Sequence, residues 1–98
     1  MKLIDLNGNK YEVLKNYKES LEIEELQSLF TEYFDAFDYV VGDYSYNKLR
    51  LKGFYDSKNK LVKNYNYIKN LETYLKEYCA TECPYFLLKK QIKVEKKQ

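Results

Sequence analysis

The chain of 98 residues contains no histidine and no tryptophan. Without histidine, the side chain whose pKa lies nearest neutrality is missing, which excludes Ser-His-Asp and Cys-His nucleophile pairs and His-containing zinc sites. Carboxylates, lysine and tyrosine remain for acid–base chemistry, but each would need a strongly shifted pKa. The sequence therefore favours a binding protein over an enzyme, and we predict no catalytic residue, cofactor or metal.

The sequence also lacks long apolar runs, linker segments and a high cysteine content. No run approaches the roughly 18 apolar residues of a membrane helix, and the N-terminus lacks the apolar stretch of a signal peptide. Two cysteines are too few for the disulfide framework of a small secreted domain, and three glycines and one proline mark no linker. We predict one cytoplasmic domain over residues 1–98, with no membrane contact and a basic, frayed tail at 90–98.

Aromatic residues and charge are unevenly used. Twelve Tyr and five Phe make 17% of the chain aromatic, so much of the core must be aromatic and several phenol groups must reach water or a partner. Residues 19–47 hold eight acidic residues and no basic one, whereas residues 48–98 hold thirteen basic residues against five acidic. This asymmetry predicts either two faces of opposite potential or a solvated acidic helix packed on a lysine-rich sheet.

Local patterns predict seven elements and one further strand. Asn7-Gly8 between two short apolar runs indicates a β-hairpin, because both residues tolerate positive φ. Apolar residues at three-to-four spacing indicate a first helix, capped by Ser20 and extending to Phe37. A second helix is predicted from a cap at Asn70, and the strands are predicted at 39–42, 48–55 and 85–88, with a further return strand at 61–67.

The order ββ-α-ββ-α-β lacks regular βαβ alternation. It predicts an α+β fold: a mostly antiparallel sheet of about five strands with both helices on one face. Alternation in residues 48–55 places Leu49, Leu51 and Tyr55 toward one side of the sheet. Lys48, Arg50, Lys52 and Phe54 are predicted to point to the other, toward water.

Two stretches resemble the YutD-like family of small bacterial proteins of uncharacterised function. They are Phe37–Tyr46 with Leu49–Asp56, and Leu71–Leu75 followed by Glu77–Cys79, Cys83 and Tyr85-Phe86. The resemblance covers about residues 35–88. It implies a compact α+β fold in a bacterial cytosol and implies no reaction. The family pattern has Trp and then Gly where this chain has Tyr44 and Ser45, so a turn that relied on glycine is shaped differently here.

The first functional hypothesis is an RNA-binding face. Cations that track phosphates and aromatic rings that stack on bases are typical of single-stranded nucleic-acid surfaces. Arg50, the one arginine of the chain, offers bidentate contacts. The predicted surface consists of Tyr44, Tyr46, Lys48, Arg50, Lys52, Phe54, Lys89 and Lys90, and it would contact RNA or a ribonucleoprotein. The alternative is a merely solvated face on which Arg50 pairs with Asp43 or Asp56.

The second hypothesis is a protein-interaction adaptor. The acidic face of the first helix, formed by Glu22, Glu24, Glu25 and Glu32, would dock a basic partner protein.

Two further groups of side chains are weaker candidates for a functional site. Asp35, Asp38 and Asp43 could hold a divalent cation through oxygen ligands, although solvated or capping carboxylates explain them better. Cys79 and Cys83 could be a redox pair, share a metal in a dimer, or be buried thiols at a helix end.

Overall fold

The computed structural model describes residues 2–45, 47–78 and 83–91. Its elements are β1 (Leu3–Leu6), β2 (Asn9–Tyr17), α1 (Ile23–Leu29), β3 (Tyr39–Ser45), β4 (Lys48–Phe54), α2 (Leu71–Tyr78) and β5 (Tyr85–Lys90). The strands form one sheet in the order β1-β2-β5-β3-β4, and all neighbouring strands are antiparallel. The predicted α+β class and element order are confirmed, and β5 lies at the centre of the sheet.

The β1–β2 hairpin turns at the predicted residues. Asn7 has φ 54° and Gly8 has φ 85°, which is the pair of positive values that a tight two-residue hairpin turn needs. Leu6 pairs with Asn9 directly across the turn. This register places Ile4 and Leu6 together on the buried side of the hairpin.

The predicted first helix is broken in two. α1 ends at Leu29, Phe30 is extended, and a 3₁₀ helix follows at Glu32–Ala36. The Thr31 hydroxyl accepts a hydrogen bond from the Tyr33 backbone N–H at 3.3 Å, so the side chain competes with the helix for a backbone group. The prediction of a Ser20 cap is wrong, because Glu22 occupies the N-cap position and Ser20 is buried.

α1 covers one face of the sheet and builds the main core. Leu26 and Phe30 pack on side chains from β3, β4 and β5, among them Val40, Leu49 and Phe86. Each fully buried side chain of this kind stabilises the fold by roughly 1.5–3 kcal/mol. Leu49 and Leu51 lie on this side, as their alternation predicts.

α2 covers the opposite face, so the prediction that both helices share one face is wrong. The Tyr74 ring of α2 meets the Phe54 ring edge-on at 5.6 Å, and its hydroxyl donates to Asp43 at 3.1 Å. Asp43 and Phe54 point to the side opposite Val40, because strand residues alternate. Apolar side chains on this side, including the buried Val41, therefore need cover of their own.

Residues 56–70 form a loop rather than the predicted return strand. Two 3₁₀ helices lie at Asn64–Asn66 and Ile68–Asn70, and the second leads directly into α2. Backbone hydrogen bonds join the loop to Tyr55, from Tyr55 N–H to the Asn66 carbonyl at 2.6 Å and from Ile68 N–H to the Tyr55 carbonyl at 3.0 Å. The Asn70 amide donates to the Asn64 carbonyl at 2.9 Å instead of capping α2.

The helices are short. Within the three described ranges, none has the length and apolar character that crossing a bilayer requires. Lys90, assigned from the sequence to a frayed tail, belongs to β5, and residues 92–98 lie outside the described residues.

Tyr11 provides a test of the core. Its side chain is fully buried, and its hydroxyl has no hydrogen-bond partner among residues 2–45, 47–78 and 83–91. Tyr11→Phe removes a desolvated polar atom, so we expect the free energy of unfolding at pH 7 to rise by about 1 kcal/mol in urea denaturation. Tyr33→Phe, whose hydroxyl lies on an exposed side chain, should change it little. If Tyr11→Phe instead lowered the free energy of unfolding, the hydroxyl of Tyr11 would have to form a stabilising hydrogen bond, and the prediction would be wrong.

The same residue predicts a response to alkaline pH. Burial, with a smaller contribution from Asp35, raises the pKa of Tyr11 from 10.0 to about 12. Because the folded state favours the neutral phenol, its contribution to stability is complete below pH 10 and is lost as the pH rises toward 12. Urea titrations at increasing pH should show a smaller alkaline loss in Tyr11→Phe than in the wild type.

Candidate functional site

The predicted RNA-binding face of β4 is only partly exposed to water. Phe54 is 0% exposed and lies beneath α2, and the Nε atom of Arg50 pairs with an Asp43 oxygen at 2.9 Å. The alternation in β4 is real, but α2 covers the side that was expected to face water. The expectation of a water-facing Phe54 is therefore wrong, and of the alternatives for Arg50 the structure shows the pairing with Asp43.

The other residues of that prediction are dispersed. The Tyr44 hydroxyl donates to the Ser20 carbonyl at 2.9 Å on the α1 side of the sheet, and burial with the nearby Glu25 and Glu22 carboxylates raises the pKa of Tyr44. Lys89 is exposed, whereas the Lys90 ammonium donates to the Asp35 carbonyl. Lys48 is exposed, and Tyr46 lies outside the described residues.

The three aspartates of the cation hypothesis serve three different structural purposes. Asp35 accepts the amides of Asn7 and Asn9 at 3.2 and 3.1 Å. Asp38 accepts the Asp56 backbone N–H at 2.8 Å, and Asp43 pairs with Arg50. In the part of the chain that the structure describes, no three Asp, Glu or Cys side chains are placed to hold a metal ion.

Only one of the two cysteines, Cys83, lies within the described residues. The structure has no free thiol at Cys83, and Cys79 lies outside the described residues.

The acidic residues assigned to the adaptor hypothesis are all at the surface. Glu24 and Glu25 lie in the first turn of α1, Glu22 precedes it, and Glu32 begins the following 3₁₀ helix; each is exposed. With 3.6 residues per turn, Glu24 points almost directly away from the buried Leu26. None of the four carboxylates forms an ion pair with another described residue.

Sequence reasoning missed a groove between the Glu32–Ala36 3₁₀ helix, β4 and the 56–70 loop. Its cavity has a volume of about 420 Å³, and Tyr33, Phe37, Tyr55, Leu61, Tyr65 and Lys52 contribute to its walls. A second cavity of about 620 Å³ adjoins it and shares Lys52 and Tyr65 with the first. We refer to the two cavities together as the Lys52 groove. Two tyrosines within the polar 63–67 segment were the signal that could have indicated it.

Lys52 is enclosed by aromatic rings. Its Nζ atom lies 5.1 Å from the centroid of Phe54 and 5.8 Å from those of Tyr65 and Tyr74. Burial lowers the pKa of Lys52 from its ordinary value. No carboxylate among the described residues pairs with it, so ring faces are the main partners of this cation.

These features define a small α+β domain with a helix on each face of a five-stranded antiparallel sheet. Residues 5–89 match the family described as "Putative antitoxin YutD-like". The chain belongs to this YutD-like family, which confirms the resemblance found in the sequence.

Two comparisons agree with this assignment. A protein named "Putative antitoxin YutD" from Bacillus subtilis (strain 168) is 34% identical over 88 residues, covering 90% of this chain and 97% of the relative. The solution NMR structure of protein yutD from B. subtilis superposes with a TM-score of 0.80 at 33% identity, covering 100% of this chain and 89% of that one.

The Arg50–Asp43 pair yields a stability prediction. Arg50→Met would leave the Asp43 carboxylate, 1% exposed, with the Tyr74 hydroxyl as its remaining described donor. We expect the free energy of unfolding to fall by about 3 kcal/mol, because an unpaired charge stays buried. Adding Asp43→Asn should restore part of that loss. Urea denaturation of the two single variants and the double variant measures the coupling.

Lys48→Met on the same strand is the control and should have a small effect. Additive losses in the double variant would contradict the predicted coupling.

Proposed function

We propose that this chain is a non-enzymatic cytoplasmic antitoxin that binds a basic toxin protein through the acidic face of α1. The face consists of Glu22, Glu24, Glu25 and Glu32. The observation that carries the proposal is that four exposed carboxylates lie close together in sequence on one short segment without ion-pair partners among the described residues.

Apolar side chains beside these carboxylates support a protein partner. Ile23 and Leu29 of α1 are 36% and 43% exposed, although the helix is held on the sheet by Leu26. A protein interface combines an apolar centre with a polar rim, and charged rims speed encounter with a partner of opposite charge. The acidic face offers both components to a basic protein.

The comparisons support the class of partner. The description of the matched family and the name of the B. subtilis relative both contain the word antitoxin. An antitoxin of the protein-binding kind acts by holding a toxin protein, which requires a surface rather than catalytic groups. That requirement agrees with a chain that has no histidine.

RNA binding through Lys48–Phe54 receives less support as a function. The burial of Phe54 and the pairing of Arg50 remove a stacking ring and a free guanidinium from the proposed surface. Lys48 and Lys89 remain exposed on it, and cations alone give binding without preference for single strands.

A charge-reversal experiment tests the acidic face. Tagged wild-type protein is used to capture proteins from a lysate of its own host, and a basic protein retained in equal molar amount is purified for titration. We expect Glu24→Lys with Glu25→Lys to weaken its Kd by about tenfold or more and to remove most of the salt dependence of association, because two attractions become repulsions.

Glu72→Lys is the matched control. Glu72 is an exposed glutamate in the first turn of α2, on the other face of the sheet, and its reversal should leave the Kd nearly unchanged. Co-expression should also relieve any growth inhibition caused by the captured protein. Equal loss in both reversals, or a retained partner with an acidic surface, would contradict the proposal.

A further inference from the structure

The walls of the Lys52 groove contain large apolar and aromatic side chains that are exposed to water. Tyr33 is 66% exposed, Tyr65 is 68% exposed and Leu61 is 57% exposed, and all three border the same cavity. Scattered exposed apolar residues are ordinary, but a contiguous set that lines a depression marks a binding surface.

The floor of the groove is formed by closely packed rings and hydrogen-bonded backbone. The Phe37 ring stacks on the Tyr55 ring with centroids 4.7 Å apart, and a β-carbon at Gly53 would overlap Phe37. Tyr55 is tied to the 56–70 loop by the two backbone hydrogen bonds described above, which fix the position of Tyr65 near β4. A platform that is already formed loses little conformational entropy when a flat ligand stacks on it.

The charge of the first cavity is positive. Residues 48–70 carry seven basic side chains and one carboxylate, that of Asp56. Lys52 and Lys63 line the first cavity, which has no carboxylate of the described residues in its wall, whereas Lys52 and Glu77 line the second. The first cavity therefore presents two cations to an anionic ligand next to rings that can stack.

The ligand must combine flat rings with negative charge. Two adjoining cavities share one cation, Lys52, and one ring, Tyr65. In a nucleic acid strand, one phosphate lies between two successive bases. The groove offers the matching arrangement, with a cation placed between aromatic rings. A duplex hides the faces of its bases, whereas a single strand exposes them. An acidic peptide without aromatic residues would use the cations but not the exposed rings.

We propose that the Lys52 groove binds single-stranded RNA, with bases stacked on Tyr33 and Tyr65 and a phosphate held by Lys52 and Lys63. This surface differs from the Lys48–Phe54 face, since Tyr33 and Tyr65 come from segments on either side of β4. It is also separate from the acidic face of α1, so either proposal can fail without the other.

Fluorescence anisotropy with labelled heptauridylate tests the site in the full chain. Lys52→Met keeps the length of the apolar stem and removes the charge, while Tyr65→Leu removes an exposed ring. We expect each to weaken binding about tenfold at low salt. Lys52→Met should also lower the slope of log affinity against log salt by about one, and Tyr65→Leu should leave that slope unchanged.

Matched controls lie on β2. Lys15→Met and Tyr17→Leu make the same chemical changes at exposed positions away from the groove, and each should change affinity by less than about twofold. If Lys52→Met lowers the melting temperature, Tyr65→Leu still decides the matter, because Tyr65 is largely exposed.

Three outcomes would overturn the proposal. The first is no binding of heptauridylate at low salt. The second is an equal loss in the β2 controls, which would mean that general charge attracts the strand. The third is competition by duplex RNA or by heptaglutamate as strong as that by unlabelled heptauridylate, because neither competitor offers free bases to Tyr33 and Tyr65.

Discussion

The pairing of β5 with both β2 and β3 is the interaction on which the rest of the structure depends. The β1–β2 and β3–β4 hairpins are each local, and among the strands of the described residues β5 is the one that joins them into a single sheet. Phe86 and Leu88 of β5 are fully buried under α1, and Gly42 of β3 leaves room for the Phe86 ring. With β5 in place, β3 becomes a central strand with two faces to cover. The division of the helices between those faces, and the position of every candidate surface, follow from that pairing.

Much of this fold could be predicted from the sequence because its signals are local. The Asn7-Gly8 turn, the alternation in β4 and the apolar run of β5 each report on a few neighbouring residues. The break after Leu29 could not be predicted in this way, since Phe30 and Phe34 keep the same three-to-four spacing in a straight helix and in the broken one. The covering of Phe54 was missed for a related reason: alternation shows that two faces differ, but not that both are covered.

The candidate surfaces differ in how far the sequence can reveal them. The acidic face of α1 is a cluster of residues within one short segment, and its exposure follows directly from its composition. The Lys52 groove joins Tyr33, Lys52 and Tyr65 from three separate segments, and its shape depends on Phe37 lying over Gly53. Such a site becomes visible only when tertiary contacts are known. The lysines and tyrosines of residues 48–67 were recognisable as components of a binding surface, whereas their arrangement was not.

The position of β4 at the end of the sheet has a consequence for self-association. An outer strand presents unpaired backbone groups that a second molecule can extend into a longer sheet, which is a route to aggregation. Two copies of β4 placed side by side would bring Lys48, Arg50 and Lys52 of one copy next to those of the other. Like charges opposed across strands repel, so the basic residues of this strand discourage molecules from joining edge to edge.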